Sequence, residues 1–165
     1  GHTVEGDGVI LTATSGDGES SASNMNGESL YVILVGCGRV GAELATMLSE
    51  EGHAVVIVDR DAESFNRLSD GFSGSTIHGN GVDEDILRSA GIERADAVVT
   101  ATNGDNTNIM VAQIAQKMYR VKRVVARCND PVRSSAYELL GLNTICPTTV
   151  GAELLHDAIV LKGEG

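Results

Sequence analysis

Residues 36–41 read Gly-Cys-Gly-Arg-Val-Gly, the spacing GxGxxG. The chemistry this spacing permits is the holding of a pyrophosphate. Gly36 allows a tight turn, Gly38 lets the backbone approach phosphate oxygens, and Gly41 lets the following helix pack closely on the preceding strand. Free N–H groups at the start of that helix supply the donors. Asp59 lies 18 residues beyond Gly41, where a carboxylate accepts both ribose hydroxyls of an adenosine. Its charge repels a 2′-phosphate, which favours NAD over NADP, and the adjacent Arg60 weakens that discrimination. Arg39, inside the loop, offers a guanidinium suited to bidentate oxyanion contact.

Further polar groups follow apolar runs at equivalent places. Asn80 and Gly81 come after the third run, Thr102 and Asn103 after the fourth, and Arg127 ends the fifth. A hydride-transfer enzyme also needs an acid or base beside the nicotinamide and a substrate pocket. The histidines are His2, His53, His78 and His156, with no HxxxH and no Cys/His ligand pattern. No catalytic residue and no metal site is expected from them. Cys37 sits at a helix start, which lowers a thiol pKa and leaves a redox role open. A small residue that fits the turn is the simpler reading.

These groups need a scaffold, and hydrophobic periodicity supplies one. Leu30–Val35 is a continuous apolar run, as in a strand buried on both faces. A helix with Val40, Leu44, Met47 and Leu48 on one face follows, stopped at Gly52. The further elements expected are strand 54–58, helix 61–70, strand 75–78, helix 83–90, strand 97–101 and helix 105–118. The 105–118 helix carries Met110, Ile114 and Met118 in one stripe. Strand 123–126 comes next, and Pro131 opens a helix with Val132, Ala136, Leu139 and Leu140 on one side. Strand 143–146 precedes a last helix capped by Thr148 or Thr149. Repeated strand–helix alternation means a Rossmann-like α/β fold, a doubly wound parallel sheet of order 3-2-1-4-5-6 with helices on both faces. Its ligand crevice lies where the strand order reverses. In the last helix Val150, Ala152, Leu154, Leu155, Ala158, Ile159, Val160 and Leu161 cover more than one face. This is the pattern of a helix packed against another subunit or domain.

Composition bounds the function. The 165 residues carry a formal charge of −11, which argues against bulk nucleic-acid binding and against adsorption on anionic lipid. The longest apolar run is too short to span a bilayer, and no signal peptide opens the sequence. Cys37, Cys128 and Cys146 are widely spaced without CxxC, as in reduced, cytoplasmic proteins. Residues 1–28 are rich in Gly, Ser, Asp and Asn and hold five acids with no Lys or Arg. They read as an acidic tail, linker, tag remnant or fragment of a neighbouring domain, with one strand-like run at 9–14. Residues 29–165 form the nucleotide-binding domain. Their length leaves no room for a second, substrate-binding domain.

The stretches VILVGCGRVGAELA, VVIVDRD, HGNGVDEDILRSAGIERADAVVTATNGDNTNI, RVVARCNDP and YELLGLNTICPTTVGAELL together resemble the RCK family, also called KTN or TrkA-N domains. The resemblance spans residues 29–160. It implies a regulatory lobe, not an enzyme, that senses NAD(H) first and ATP or ADP second. It places the lobe in the cytoplasm, at the inner face of the membrane, on a potassium transporter or channel. Residues matching the family's ligand contacts are Gly36, Gly38, Arg39, Val40, Gly41, Asp59, Thr102, Asn103 and Arg127. The family's last helix crosses to a partner lobe to build dimers and rings, which here assigns Val150, Leu154, Leu155, Ala158, Ile159 and Leu161 to the interface. The family's C-terminal regulatory lobe has no counterpart in the sequence. The alternative from another class is the cofactor domain of an NAD-dependent dehydrogenase.

Overall fold

The computed structural model describes residues 27–161. Strands β1 (Tyr31–Val35), β2 (Ala54–Asp59), β3 (Ser75–His78), β4 (Ala97–Thr100), β5 (Arg123–Arg127) and β6 (Asn143–Ile145) form one sheet. Its order is β3-β2-β1-β4-β5-β6, and every neighbouring pair is parallel. The connections carry α1 (Arg39–Glu50), α2 (Glu84–Ser89), α3 (Asp105–Gln113) and α4 (Pro131–Leu139), and α5 (Pro147–Val160) follows β6. The expected order is therefore the observed one. The chain reverses direction of travel across the sheet at β1, so a crevice opens over the carboxyl ends of β1 and β4. The acidic tail, including the strand-like run at 9–14, lies outside the described residues.

Alternation along the central strands explains why their apolar runs are unbroken. Ile33 and Val35 of β1 face one way with Val56 and Val58 of β2, under Leu87 of α2 and Ile109, Val111 and Ala112 of α3. Leu34, Val55 and Ile57 face the other way, against Ala42 and Ala45 of α1, with Leu44, Leu48 and Phe65 at its margin. Ile33, Leu34 and Ile57 are fully buried, and each such side chain contributes roughly 1.5–3 kcal/mol of transfer free energy.

Several elements depart from expectation at their ends. Asp61 caps a short 3-10 helix, Ala62–Arg67, by accepting from Glu63 N–H at 3.0 Å, and the turn stops there instead of running to residue 70. The expected helix 105–118 is α-helical to Gln113 and then winds as a wider π turn over Ile114–Met118. In α1, Leu44 and Leu48 pack inward as expected, but Val40 and Met47 are half exposed, and small Gly41, Ala42 and Ala45 make the close contact. On α4 the expected apolar side faces outward, with Val132, Leu139 and Leu140 exposed and only Ser134 buried. Neither threonine caps α5. Cys146 holds the cap position and Pro147 the first turn. Proline needs no N–H there and is already set at the helical φ.

Candidate functional site

The glycine loop is built by contacts that exclude side chains at two of its three glycines. Gly36 has φ +112°, and a Cβ on it would lie 2.7 Å from the Ala101 carbonyl carbon. A Cβ on Gly41 would lie 1.9 Å from the Gly36 carbonyl oxygen. These glycines therefore bring α1 down onto β1 and β4. Gly38 differs, since a Cβ there would meet nothing within 4 Å. The loop is open at that point, above the first turn of α1. No side chain caps α1 and no acid stands in its first turn, so its partial positive charge faces the opening. Arg39 and Val40 are exposed beside it, and the Arg39 side chain makes no hydrogen bond or ion pair with another described residue.

Asp59, at the end of β2, is fixed by the same loop. Its Oδ2 accepts from Cys37 N–H at 2.7 Å and its Oδ1 from Asp61 N–H at 2.8 Å. Each oxygen keeps acceptor capacity for a further donor. Gly36 N–H donates to Val58 O at 2.8 Å, which locks the turn against β2. His78 pairs with Asp59 in register, and its Nε2 lies 2.8 Å from Arg60 O. That contact fixes the Arg60 backbone, while the Arg60 side chain is exposed.

Cys37 points away from the opening. Its Sγ is buried and donates to Ser64 O at 3.4 Å. Burial and the nearby Asp59 charge push its pKa up, with Arg67 acting the other way. A thiol so held is a poor nucleophile, and the packing role accounts for it.

The remaining expected residues come from the loops after β3, β4 and β5. Gly81 is buried, and a Cβ on it would fall 2.6 Å from Val35 Cγ1, so its small size closes the β3–α2 loop over β1. Asn80 accepts from Val82 N–H at 3.1 Å through its side chain, which ties that side chain to its own turn. Asn103 is exposed at the tip of the β4–α3 loop. Thr102 and Arg127 are tied together by a residue that the spacing argument missed. Asn108 on α3 is 0% exposed. Its Oδ1 accepts from Thr102 N–H at 2.9 Å and from Thr102 Oγ1 at 2.7 Å, and its Nδ2 donates to Thr102 O and Arg127 O, both at 3.0 Å. One turn earlier, the Asp105 carboxylate accepts from Asn129 N–H at 2.8 Å and Asp130 N–H at 3.2 Å. The first turns of α3 thus clasp the loops after β4 and β5. A polar residue beside Ile109, Val111 and Ala112 on a buried helix face was the available signal, because such a group needs partners.

All these groups gather at the carboxyl ends of the parallel strands. The arrangement offers a backbone cradle with a free guanidinium beside it for phosphate, and a fixed carboxylate about one strand spacing away for hydroxyls. Among the described residues no group of His, Cys, Asp and Glu could hold a metal ion.

Known proteins resemble this chain in sequence and in fold. The TrkA-N domain family matches residues 32–147. The Trk system potassium uptake protein TrkA of Streptomyces coelicolor is 45% identical over 134 residues, covering 81% of this chain and 60% of that protein. The TrkA of Halomonas elongata is 35% identical over 108 residues, covering 66% of this chain and 23% of that protein. The chain thus spans about three fifths or less of the curated relatives cited. Among solved structures, the Shewanella denitrificans Kef CTD in its AMP-bound form superposes with a TM-score of 0.66 at 25% identity, covering 81% of this chain and 82% of that one. GsuK bound to ADP superposes with a TM-score of 0.68 at 25% identity, covering 81% of this chain and 34% of that one.

Proposed function

Because the chain belongs to the TrkA-N domain family, we propose that it is the nucleotide-sensing lobe of a regulator of potassium transport. The observation that carries the reading is the open glycine cradle at Gly38 together with the fixed carboxylate of Asp59. The N–H groups of α1 and the Arg39 guanidinium hold phosphate, and Asp59 accepts from the ribose hydroxyls. Thr102, Asn103 and Arg127 border the same crevice from the loops that Asn108 and Asp105 clasp. The ligand class is an adenosine nucleotide. NAD(H) is the finer assignment, and ATP or ADP present the same adenosine to Asp59.

Regulation requires that nucleotide bind one arrangement of the lobe better than another, since a ligand with equal affinity for two states shifts neither. The mobile quantity would be the pairing of lobes through α5. No residue of α5 is buried, and Leu154, Leu155 and Ile159 are 64%, 69% and 79% exposed. Dimers or rings formed there would carry the preference to a membrane potassium transporter or channel at the inner face of the membrane. Kinship with TrkA proteins favours this regulatory role over that of a dehydrogenase cofactor domain.

Calorimetric titration with NADH, NAD⁺, ATP and ADP tests the ligand class. Saturable binding of at least one at a single site per chain is expected. Failure of all four sinks the assignment.

A further inference from the structure

Cys128 and Cys146 stand one residue past the ends of β5 and β6. The ladder between these strands pairs Arg127 with Ile145, and the bond from Cys128 N–H to Ile145 O at 3.0 Å closes that last pair. Cys128 and Cys146 are the next residue on each strand, and Cys146 keeps an extended backbone, φ −104° and ψ 103°, so the register carried one step further sets them opposite each other. Paired residues share a face, and both cysteines follow the buried face of Ala126 and Thr144. Neighbouring strands lie about 4.8 Å apart, inside the Cα separation of ~4.4–6.8 Å that a disulfide accepts. The two thiols also converge on one short loop: Cys146 Sγ donates to Asn129 O at 3.5 Å, and Cys128 Sγ to Asp130 O at 3.7 Å.

We infer that Cys128 and Cys146 form a reversible dithiol–disulfide pair, a modification site that staples the end of β5 to the foot of α5. The inference stands apart from the nucleotide reading. The two thiols are unequal, which orders the steps. Cys146 caps α5, a helix of 14 residues, and the Thr149 hydroxyl donates to its sulfur at 3.5 Å. The hydrogen bonds from Thr149 and Thr148 draw its pKa down, whereas burial raises that of Cys128. Cys146 is 7% exposed and Cys128 0%. Cys146 is therefore the attacking thiolate. The oxidant is a peroxide: the Cys146 sulfur takes one peroxide oxygen, the O–O bond breaks, and hydroxide leaves. The Cys128 sulfur then attacks the sulfenic sulfur, the S–S bond forms, the S–O bond breaks, and water leaves with the Cys128 proton. Two thiols are oxidised to one disulfide, and one peroxide is reduced to two waters in total.

The staple has a structural consequence. Cys146 and Thr148 reach the Asn129 carbonyl, Thr148 at 2.9 Å, and α5 buries no residue of its own. Oxidation replaces a weak thiol contact at the foot of α5 with a covalent one. The test treats the purified chain with hydrogen peroxide, alkylates remaining thiols and digests with trypsin. Cleavage after Arg127, Arg133 and Lys162 puts the two cysteines on different peptides. A linked pair, 128–133 with 134–162, is expected, absent after dithiothreitol and still formed in Cys37→Ser. In Cys128→Ser, Cys146 should be trapped as a dimedone adduct, while Cys146→Ser should leave Cys128 reduced. Hydrogen exchange at the Val150 amide, in the first turn of α5, should slow at least about fivefold on oxidation. Persistence of both free thiols, or a link that requires Cys37, overturns the pair. A link without slowed exchange overturns the staple.

Discussion

At the scale of single residues, the three glycines of the loop do separable work, and substitution should separate them. Gly41→Ala places a methyl 1.9 Å from the Gly36 carbonyl oxygen, and α1 can yield only by lifting off the sheet. A loss of at least about 2 kcal/mol in urea unfolding is expected, the size of an overpacked core site. Gly38→Ala meets open space, so its melting temperature should fall by no more than a few degrees, about the effect of a poorer cap. The same methyl stands over the cradle, and nucleotide affinity should fall at least tenfold. An unchanged affinity in a folded Gly38→Ala chain removes phosphate from this loop. Asp59→Asn tests the carboxylate. An amide offers one acceptor oxygen where Cys37 N–H and Asp61 N–H now take one each, so one N–H loses its partner in either rotamer. Loss of charge-assisted bonds worth roughly 1.5–3 kcal/mol each predicts a drop in nucleotide affinity of about ten- to a hundredfold by calorimetry. Two glycines of the spacing were legible because Gly36 and Gly41 answer steric demands that no other residue meets. Asn108 was not, because its role depends on Arg127, which is 19 residues away in sequence and adjacent only in the fold.

At the scale of elements, strands were read better than helix ends. β1 and β2 are buried on both faces, so their sequence alone carries the signal. The 3-10 turn at 62–67 and the π turn at 114–118 depend on how the chain meets its neighbours, and the periodicity of an isolated segment does not contain that. The apolar side of α4 was legible but not the direction it faces, since an apolar side marks a contact without saying whether the partner is in the same chain. Element junctions also hold titrating groups. His53, between α1 and β2, is nearly buried and its Nδ1 accepts from Leu30 N–H at 3.0 Å. Burial lowers its pKa, opposed by the Glu51 charge. The unfolded chain therefore binds the proton more readily than the native one. The contribution to stability is complete above the ordinary imidazole pKa of ~6.5 and is lost as pH falls toward the lower native value. His53→Asn keeps an acceptor near that position without titrating. Between about pH 7.5 and 5.5 the melting temperature of the parent should fall more than that of the variant. Equal slopes by differential scanning calorimetry would place the proton elsewhere.

At the scale of the whole molecule, charge and apolar surface point in different directions. The formal charge is −11, yet the candidate phosphate cradle is a local arrangement of helix N–H groups and Arg39, which net charge does not govern. The apolar surface is concentrated late in the chain, on α4, β6 and α5. Single exposed apolar residues need no explanation, but Val150, Leu154, Leu155, Ile159, Val160 and Leu161 all lie 43% or more exposed on one helix. A twofold contact that buried four such side chains from each protomer would gain roughly 12–24 kcal/mol gross. Association costs about 4–15 kcal/mol, a range that overlaps this gain, so the assembly state is decided by measurement. The test is clean because α5 contributes nothing to the core. Leu154→Asp with Ile159→Asp should leave the circular dichroism of the folded chain unchanged while converting the assembly to monomer in sedimentation velocity, with the urea midpoint falling only by the lost linkage of association. A parent chain already monomeric at about 100 μM would mean a dimer weaker than roughly −5.5 kcal/mol. That result would remove α5 as the self-association surface, and with it the proposed route from nucleotide to pore.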